Sequence, residues 1–434
     1  MYLKRLKLYN FKCFEDLDME FHDNLTVVVG PNGAGKTTIL EGVAIAVSSM
    51  FVKMDGLTGL KIDRTQAYLK SYSIGSTKDV QRQYPVVVAA TAKDNILMPG
   101  KDIEWTRSLS SSTGQTLFGD AKDITSLGVE LQQKVRNGDT EIRLPLLAYY
   151  GTGRLWDYHR EKQNDVFETN NRLNGYVNCM DGTANIKLMM NWFLKMTVQK
   201  YQNKELNLGD VPELEAVYAA MEICYKRITG CGYVRMQYNM GTKALEVAYK
   251  DMSGNIMRMP IDQLSDGYKS TISLVADIAY RMAVLNPQLL GDVCLQTNGI
   301  VLIDEVDLHL HPEWQQQILA DLTAIFPKIQ FIVTTHAPAV ISSVGQECVR
   351  VLHNNQIDLP ALETYGRDTN GILRSVMGVS ERQPKTMEQF ANFYKTIDNG
   401  DMEKAELLLI ELEEQYPDDP EVGAMRIQFD LEQI

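Results

Sequence analysis

The sequence predicts an α/β fold, in which mixed β-sheets with flanking helices are followed by an all-helical C-terminal tail. Short apolar runs at 25–29, 300–303 and 331–333 have the length and composition of buried strands. The first run ends directly in a glycine and the second in two carboxylates, and a histidine follows the third run after two threonines. Segments with helical apolar spacing lie between and after these runs, and strands alternating with helices indicate an α/β sheet core.

Composition limits the possible classes of protein. The chain has 434 residues, room for two or three domains, and its hydrophobic fraction of 44% is typical of a globular protein. No apolar stretch approaches the roughly 18 residues of a membrane span, and no signal segment opens the chain, so we expect a cytoplasmic protein without a membrane partner. The six cysteines show neither close pairing nor zinc spacing and are expected to be reduced. A net charge of −13 argues against a protein that coats nucleic acid.

The segment after the first apolar run fits the phosphate-loop pattern. Its backbone N–H groups and Lys36 are expected to hold phosphates, and Thr37 is expected to bind Mg²⁺. The following residues have helical spacing, which would place the phosphates at the positive end of a helix dipole. The alternative is a glycine turn without a ligand, but a Lys and a Thr in register favour the nucleotide site. The expected nucleotide contacts are Asn32, Gly33, Ala34, Gly35, Lys36, Thr37 and Thr38.

The second apolar run ends in two carboxylates, the arrangement of a Walker B motif. Asp304 is expected to hold Mg²⁺, and Glu305 to orient or deprotonate the attacking water. Two adjacent carboxylates could also form a solvated turn, but the apolar approach and the segment 307–312 argue against it. His336 follows the next apolar run and resembles a switch histidine that senses the γ-phosphate, although a lone histidine is more often structural.

The segment Leu264-Ser265-Asp266-Gly267-Tyr268 resembles the ABC-type signature, whose usual form is Leu-Ser-Gly-Gly-Gln. The third and fifth positions differ here, and the segment also reads as a helix N-cap before a helix over 268–282. In ABC ATPases this helix start closes on the γ-phosphate held by a second subunit. The resemblance therefore implies an ATP sandwich between two copies, with Ser265, Gly267 and Lys269 as further nucleotide contacts.

The four motifs in this order resemble one ABC-type ATPase site with ATP and Mg²⁺ as cofactors. The opening 6–14 is similar to that of RecF/SMC-class ATPases, whereas the insertion lacks the sustained heptads of a coiled coil. The whole chain resembles the AAA-21/OLD-like branch of ABC ATPases found in bacterial anti-phage modules, most closely the Septu group. The residues that carry this likeness are 30–38, 149–156, 264–269, 304–312 with Trp314 and Gln315, 334–338 and 365–370.

Four segments are expected. They are an N-lobe at 1–155, a short helical lid insertion at 156–228, a C-lobe at 229–358, and a helical tail at 359–434 for oligomerisation or partner binding. Helices are predicted at Asn185–Gln202 and Val211–Ile228 in the lid, and at Met387–Ile397, Met402–Tyr416 and Pro420–Leu431 in the tail. The tail helices resemble a tetratricopeptide-like hairpin. No glutamine was assignable to a Q-loop.

The family resemblance implies an oligomeric, ATP-controlled scaffold or sensor of an anti-phage complex, for which slow hydrolysis would suffice. OLD proteins carry a Toprim nuclease, but this tail is too short and too helical for one, so a nuclease in trans is expected, of HNH or Toprim type. We expect a homodimer through the ATP sandwich, or a higher oligomer, and DNA is a possible partner. Two alternatives stay open: a RecF-like repair ATPase that binds DNA directly, and a transporter ATPase, which the segment 307–312 and the large lid disfavour.

Overall fold

The computed structural model describes residues 1–75, 77–93, 100–155, 171–182, 186–251 and 253–432. The chain forms two compact units, Met1–Ile372 and Leu373–Ile434. The four segments expected from the sequence stay predictions, and the start of the expected lid, at 156–170, lies outside the described residues.

The described residues contain fifteen strands in four sheets and thirteen α-helices. The strands are β1 Tyr2–Phe11, β2 Phe14–Glu20, β3 Leu25–Val29, β4 Leu69–Ile74, β5 Thr77–Arg82, β6 Val86–Lys93, β7 Ile103–Leu109, β8 Leu146–Tyr150, β9 Val234–Asn239, β10 Ala244–Lys250, β11 Ile256–Pro260, β12 Gly299–Ile303, β13 Ile329–Thr334, β14 Val349–His353 and β15 Gln356–Asp358. The helices are α1 Lys36–Val47, α2 Lys122–Arg136, α3 Ile186–Glu205, α4 Pro212–Thr229, α5 Asp266–Leu285, α6 Val293–Gln296, α7 Pro312–Gln315, α8 Ile318–Ile325, α9 Pro338–Ile341, α10 Thr369–Ser375, α11 Pro384–Asp398, α12 Met402–Gln415 and α13 Pro420–Glu432.

A six-stranded sheet forms the core of the first unit, in the order β15-β14-β3-β13-β12-β8. All neighbours except β14 and β15 are parallel, and every residue of β3, β12 and β13 is buried. Strands buried on both faces are continuous apolar runs, which is how the sequence signals them. Because these strands are parallel, their carboxyl ends meet at one edge, where ligands bind in open α/β sheets. The predicted α/β fold class is confirmed.

An antiparallel sheet, β2-β1-β6-β7, packs beside the core sheet. Gln330 of β13, which is fully buried, joins the two sheets. Its side chain accepts a hydrogen bond from the Leu3 N–H at 2.7 Å and donates to the carbonyls of Leu3 at 2.8 Å and His22 at 2.9 Å. A buried amide with all these bonds made fixes one sheet against the other.

Strand β7 holds the far end of α1. Trp105 donates from Nε1 to the carbonyl of Ala46 at 2.9 Å, and Arg107 donates to Ser49 Oγ at 3.0 Å. The Arg107 guanidinium is fully buried, and this burial lowers its pKa to about 10. A cation at the C-terminal end of α1 complements the helix dipole, so α1 is fixed at the end opposite the phosphate loop.

Helix α2 lies between residues 60 and 150, where the sequence shows only the signals of short strands and turns. The helix buries Ile124, Leu127, Gly128 and Leu131, a spacing of one helical face. Gly128 lies against the chain at Met50, since a Cβ atom on it would lie 2.0 Å from the Met50 carbonyl oxygen. Because polar residues separate these positions, the apolar face is narrow, and the sequence pattern did not indicate a helix here.

The second unit is all helical. Helices α11, α12 and α13 begin and end within a few residues of the predicted bounds. They share a core with residues from all three helices, so the third helix covers the hairpin made by the first two. The core residues are Phe390, Phe393, Ile397, Ala405, Leu409, Leu412, Val422, Met425 and Phe429.

Two further findings concern the described part of the chain. None of its helices combines the length and the apolar character that a membrane crossing requires. All six cysteines are free thiols, and burial raises the pKa of Cys179, Cys224 and Cys294 to about 12.

Candidate nucleotide-binding site

The phosphate loop joins β3 to α1 at the carboxyl edge of the core sheet. Gly33 has a φ of +78° and Gly35 a φ of +111°, conformations that residues with a Cβ atom rarely adopt. Gly35 is also packed tightly, because a Cβ atom on it would lie 2.6 Å from Cys13 Sγ and 2.7 Å from Phe14 Cζ. The β1–β2 turn thus supports the loop, and the first N–H groups of α1, which have no partner within the helix, are at the start of the helix that follows the loop.

Replacing Gly35 with Ala is expected to weaken ATP binding by about tenfold or more, because overpacking and left-handed strain each cost about 1–3 kcal/mol. Gly56 is the matched control: its φ is +77°, but a Cβ atom there would meet nothing within 4 Å. Titration with a fluorescent ATP analogue compares the two variants. Equal affinity of Gly35→Ala and Gly56→Ala would show that the loop tolerates the added methyl group.

The Lys36 side chain folds back over the loop. Its Nζ donates hydrogen bonds to the carbonyls of Gly30 at 2.9 Å and Pro31 at 3.1 Å. The residue is 6% exposed, and burial lowers the pKa of the ammonium, although the carboxylates of Asp304 and Glu305 oppose this shift. The amine is therefore near both Walker B carboxylates. Its N–H groups donate to two loop carbonyls, and a bound phosphate would replace these carbonyls as the acceptor.

Asp304 is the centre of a hydrogen-bonded cluster at the end of β12. One carboxylate oxygen accepts from Thr37 Oγ1 at 2.8 Å and the other from Thr334 Oγ1 at 2.6 Å. Asp304 is 3% exposed, and the N–H of Glu305 donates to Thr334 Oγ1 at 2.8 Å. The structure thus joins Thr37 and Asp304, the two predicted magnesium ligands, across 267 residues of sequence.

The hydroxyl, carboxylate and phosphate-loop groups fit Mg²⁺ bound together with a nucleotide. Magnesium usually takes one or two protein oxygens and completes its shell with phosphates and water. Among the described residues there is no group of three or more His, Cys, Asp or Glu side chains placed to hold a metal by themselves. The donor set therefore suits a metal that arrives with phosphate ligands.

Glu305 and His336 follow adjacent strands at the same edge. Glu305 has a φ of +48°, a left-handed conformation that turns the chain directly after β12. His336 is partly buried, and burial together with the nearby Lys36 ammonium lowers the pKa of its imidazole below 6.5, against the opposing effect of Glu305 and its neighbours. A neutral imidazole at neutral pH follows, which can accept as well as donate a hydrogen bond.

A second hydroxyl fixes the loop around His336. Thr335 Oγ1 donates to Asp307 at 2.5 Å and accepts from the N–H of Ala337 at 3.0 Å. Asp307 and Thr335 were not predicted as site residues. The sequence could have indicated both, because each lies within two residues of a predicted site residue that follows an apolar run.

The signature segment starts helix α5. Ser265 is the N-cap residue, makes no side-chain capping bond and is exposed, as is Asp266. Gly267 lies against the loop that follows β12: a Cβ atom on it would lie 2.7 Å from the His309 carbonyl oxygen. The Tyr268 ring contacts that of Trp314, with centroids 4.4 Å apart.

The remaining predicted contacts lie around these two helix starts. Asn32 is exposed and Ala34 partly buried on the phosphate loop. Thr38 is 8% exposed, and its hydroxyl is near the Cys13 thiol, where it opposes the larger effect of burial, which raises the pKa of that thiol. Lys269 is partly buried in the first turn of α5, where its N–H donates to the Ser265 carbonyl at 2.9 Å.

Sequence reasoning missed a buried group behind Asp304. Tyr150 of β8 donates from its hydroxyl to Asp277 at 2.8 Å, and Arg281 donates from Nε to the same carboxylate oxygen at 2.7 Å. All three residues are at most 2% exposed. Asp277 and Arg281 are spaced i, i+4, which resembles an ordinary surface ion pair. The apolar neighbours of Asp277 on both sides were the signal that it is buried.

A phosphate loop, two carboxylates at the next strand end and a histidine after the neighbouring strand define an ABC-type ATPase of the RecF/SMC/OLD branch. The chain belongs to the AAA domain family (AAA_23), whose model matches residues 5–228. The family resemblance inferred from the motifs is therefore confirmed.

Three relatives are similar over most of this chain. A retron Ec83 probable ATPase of Escherichia coli is 27% identical, over 89% of this chain and 79% of that protein. The Septu protein PtuA of Bacillus thuringiensis is 24% identical, over 93% of this chain and 91% of its own length. An OLD nuclease of Thermus scotoductus is 49% identical, over 82% of this chain and 63% of that protein.

Proposed function

We propose that this chain binds and hydrolyses ATP as a subunit of a bacterial anti-phage defence complex, in which ATP holds two copies together and controls a nuclease in trans. The observation that carries the ATPase proposal is the cluster at one sheet edge. The 2.8 Å bond between Thr37 and Asp304 joins the phosphate loop to the Walker B strand end. Lys36 lies in the field of Asp304 and Glu305 at the same place.

Each side chain has a separate task in this proposal. Lys36 exchanges its bonds to the loop carbonyls for bonds to the β- and γ-phosphates. Thr37 and Asp304 would hold Mg²⁺, which when bound would neutralise charge on the phosphates. Glu305 accepts a proton from the attacking water or orients it, and neutral His336 hydrogen bonds to the γ-phosphate region.

The second copy is expected to face the phosphate loop with the start of α5. Ser265 is exposed and leaves its hydroxyl free of a capping bond, and the helix N-terminus has unpaired N–H groups and a partial positive charge. Gly267 places this helix start against His309, so it lies beside the Walker B loop of its own chain. Ser265, Gly267 and Lys269 then act on nucleotide held by the partner copy.

Replacing Ser265 with Arg is expected to block ATP-driven pairing while a single copy still binds ATP, because a long cation would fill the space for the γ-phosphate and the opposite loop. Ser253→Arg is the control, since Ser253 is also exposed but lies in the β10–β11 turn. Analytical ultracentrifugation with ATP·Mg²⁺ measures the association. Pairing of Ser265→Arg at the strength of Ser253→Arg would contradict the head-to-tail arrangement.

The defence role rests on the likeness to the retron ATPase and to Septu PtuA along most of the chain. The proposal of a separate nuclease rests on the family resemblance and on the all-helical second unit, Leu373–Ile434. Purification of the chain with the product of its neighbouring gene tests the proposal. A stable complex that cuts DNA only with ATP present is the expected result, and a nuclease activity of the isolated chain would contradict it.

Direct DNA binding by the N-terminal cations receives less support. Arg5 and Lys7 both pair with Asp18, at 2.5 Å and 3.4 Å, and Lys4 pairs with Asp102 at 3.4 Å. These pairs largely neutralise the three cations at the start of β1. The RecF-like repair alternative therefore has no structural observation in its favour at this surface.

A further inference from the structure

The buried group of Tyr150, Asp277 and Arg281 lies between two parts of the proposed ATPase site. Tyr150 is the last residue of β8, and its carbonyl accepts a hydrogen bond from the N–H of Asp304 at 2.8 Å. Its hydroxyl donates in the other direction, to Asp277 of helix α5. One residue thus contacts both the proposed magnesium ligand and the helix whose start carries the signature segment.

Helix α5 is attached to the Walker B region at two places. Near its start, Gly267 packs on the His309 carbonyl and Tyr268 on Trp314. Ten residues later, about 15 Å along the helix, Asp277 accepts the Tyr150 hydroxyl. Because the helix between these two contacts is rigid, a displacement of its start would also displace Asp277 and the hydrogen bond to Tyr150.

Arg281 connects the helix to a third element. Its guanidinium donates from Nε to Asp277, and from another nitrogen to the carbonyls of Gly175 at 2.9 Å and Val177 at 3.0 Å. The same segment continues along the edge of β8, where the N–H of Tyr149 donates to the Cys179 carbonyl at 2.7 Å. The Arg281 guanidinium therefore joins helix α5 to the 175–179 segment, which in turn pairs with β8.

The pairing leaves one oxygen unused. Asp277 Oδ1 is buried and accepts no hydrogen bond from the described residues, although the Arg281 guanidinium is adjacent. Burial without a donor is costly for a carboxylate oxygen. Two-point pairing with the Arg281 guanidinium, through Nε and the Nη atom on the same side, would satisfy this oxygen.

We propose that Tyr150, Asp277 and Arg281 are positioning residues, which transmit engagement of the α5 N-terminus by a second copy to the alignment of Asp304. This inference rests on the proposed ATP-dependent pairing. None of the three contacts nucleotide in this account. They act by holding the β8 end, and with it the Asp304 backbone, at the position where the carboxylate meets Thr37 and the metal.

The test compares two tyrosines that differ in what their hydroxyls contact. Tyr150→Phe removes the bond to Asp277, and Tyr176→Phe removes a bond of the same length, 2.8 Å, to the Pro145 carbonyl. Both rings are 2% exposed, so both variants lose one buried hydroxyl of equal exposure. A merely structural role predicts unchanged kinetics for both variants and a lower melting temperature for each, with the larger fall in Tyr150→Phe because its partner is a carboxylate.

The expected result concerns kcat and magnesium. Because changes behind a metal ligand typically cost 10–100-fold, Tyr150→Phe is expected to lower kcat by about tenfold or more and to raise the Mg²⁺ concentration for half-maximal hydrolysis. The KM for ATP stays within about twofold, since the phosphate loop is unchanged. Tyr176→Phe keeps both the wild-type kcat and the wild-type Mg²⁺ requirement.

The outcomes separate the inference from the proposed function. Wild-type kcat and Mg²⁺ dependence in Tyr150→Phe, or equal losses in Tyr176→Phe, would overturn the positioning role while leaving the ATPase in place. A wild-type protein that neither binds nor hydrolyses ATP would overturn the proposed function, and the inference with it. The Mg²⁺ titration can be repeated with Tyr150→Phe added to Glu305→Gln, with ATP-driven pairing of two copies as the measured quantity. This measurement tests the alignment of Asp304 without requiring hydrolysis.

Discussion

Glu305→Gln is expected to slow ATP hydrolysis by about 10²–10⁴-fold, the usual contribution of a positioned general base. The amide keeps the size of the side chain but cannot accept the proton of the attacking water. Because Lys36, Thr37 and Asp304 are unchanged, ATP affinity is expected to stay near the wild-type value. Phosphate release measured under single-turnover conditions, together with ATP binding, checks both parts.

Glu313→Gln is the control for this substitution. Glu313 lies in the first turn of α7 at an exposed position, a short distance along the chain from Glu305. Its replacement removes the same charge without touching the β12 end and is expected to leave kcat unchanged. Hydrolysis by Glu305→Gln at the rate of Glu313→Gln would show that Glu305 is not the base.

Lys36→Ala is expected to abolish nucleotide binding at ordinary ATP concentrations. Charge-assisted bonds to phosphate contribute about 1.5–3 kcal/mol each, so the loss of two corresponds to at least about 100-fold in affinity. The substitution also leaves the carbonyls of Gly30 and Pro31 without the donor that holds them in the free protein. Isothermal titration with ATP·Mg²⁺ measures the loss.

Lys122→Ala, at the exposed start of α2, is the matched control for Lys36→Ala. It removes the same side chain from a helix start away from the phosphate loop, and its ATP affinity is expected to equal that of the wild type. ATP-induced thermal stabilisation gives a second reading, because a ligand that binds the folded state raises its stability. A Lys36→Ala protein that ATP stabilises as much as Lys122→Ala would contradict the role of the lysine.

The sequence was sufficient for the parts of the site that adjoin fully buried strands. Apolar runs predict β3, β12 and β13 because both faces of a parallel sheet are covered, and the residues that follow each run must meet at one edge. Thr37 and Asp304 are therefore predictable as neighbours despite their separation of 267 residues. The left-handed backbone conformation of Glu305 cannot be predicted in this way, because no feature of the local sequence indicates it.

Elements stabilised mainly by tertiary contacts were harder to predict. Helix α2 has a narrow apolar face among polar residues, and the β4–β5 hairpin has mostly exposed residues with little alternation. Asp277 and Arg281 have the spacing of a surface pair, and only the contact with Tyr150 shows that they are part of the core. Sequence periodicity reports which face a residue occupies, but not the partner it meets there.

The central claim is that ATP joins two copies through the phosphate loop of one and the α5 start of the other. The native mass of Glu305→Gln, measured with ATP·Mg²⁺ and again with Ser265→Arg added, tests it most directly. The expected result is a species of at least twice the 49.0 kDa chain mass for Glu305→Gln, reduced to single chains by Ser265→Arg. A single chain that binds ATP without pairing, or a pair that survives Ser265→Arg, would contradict the account.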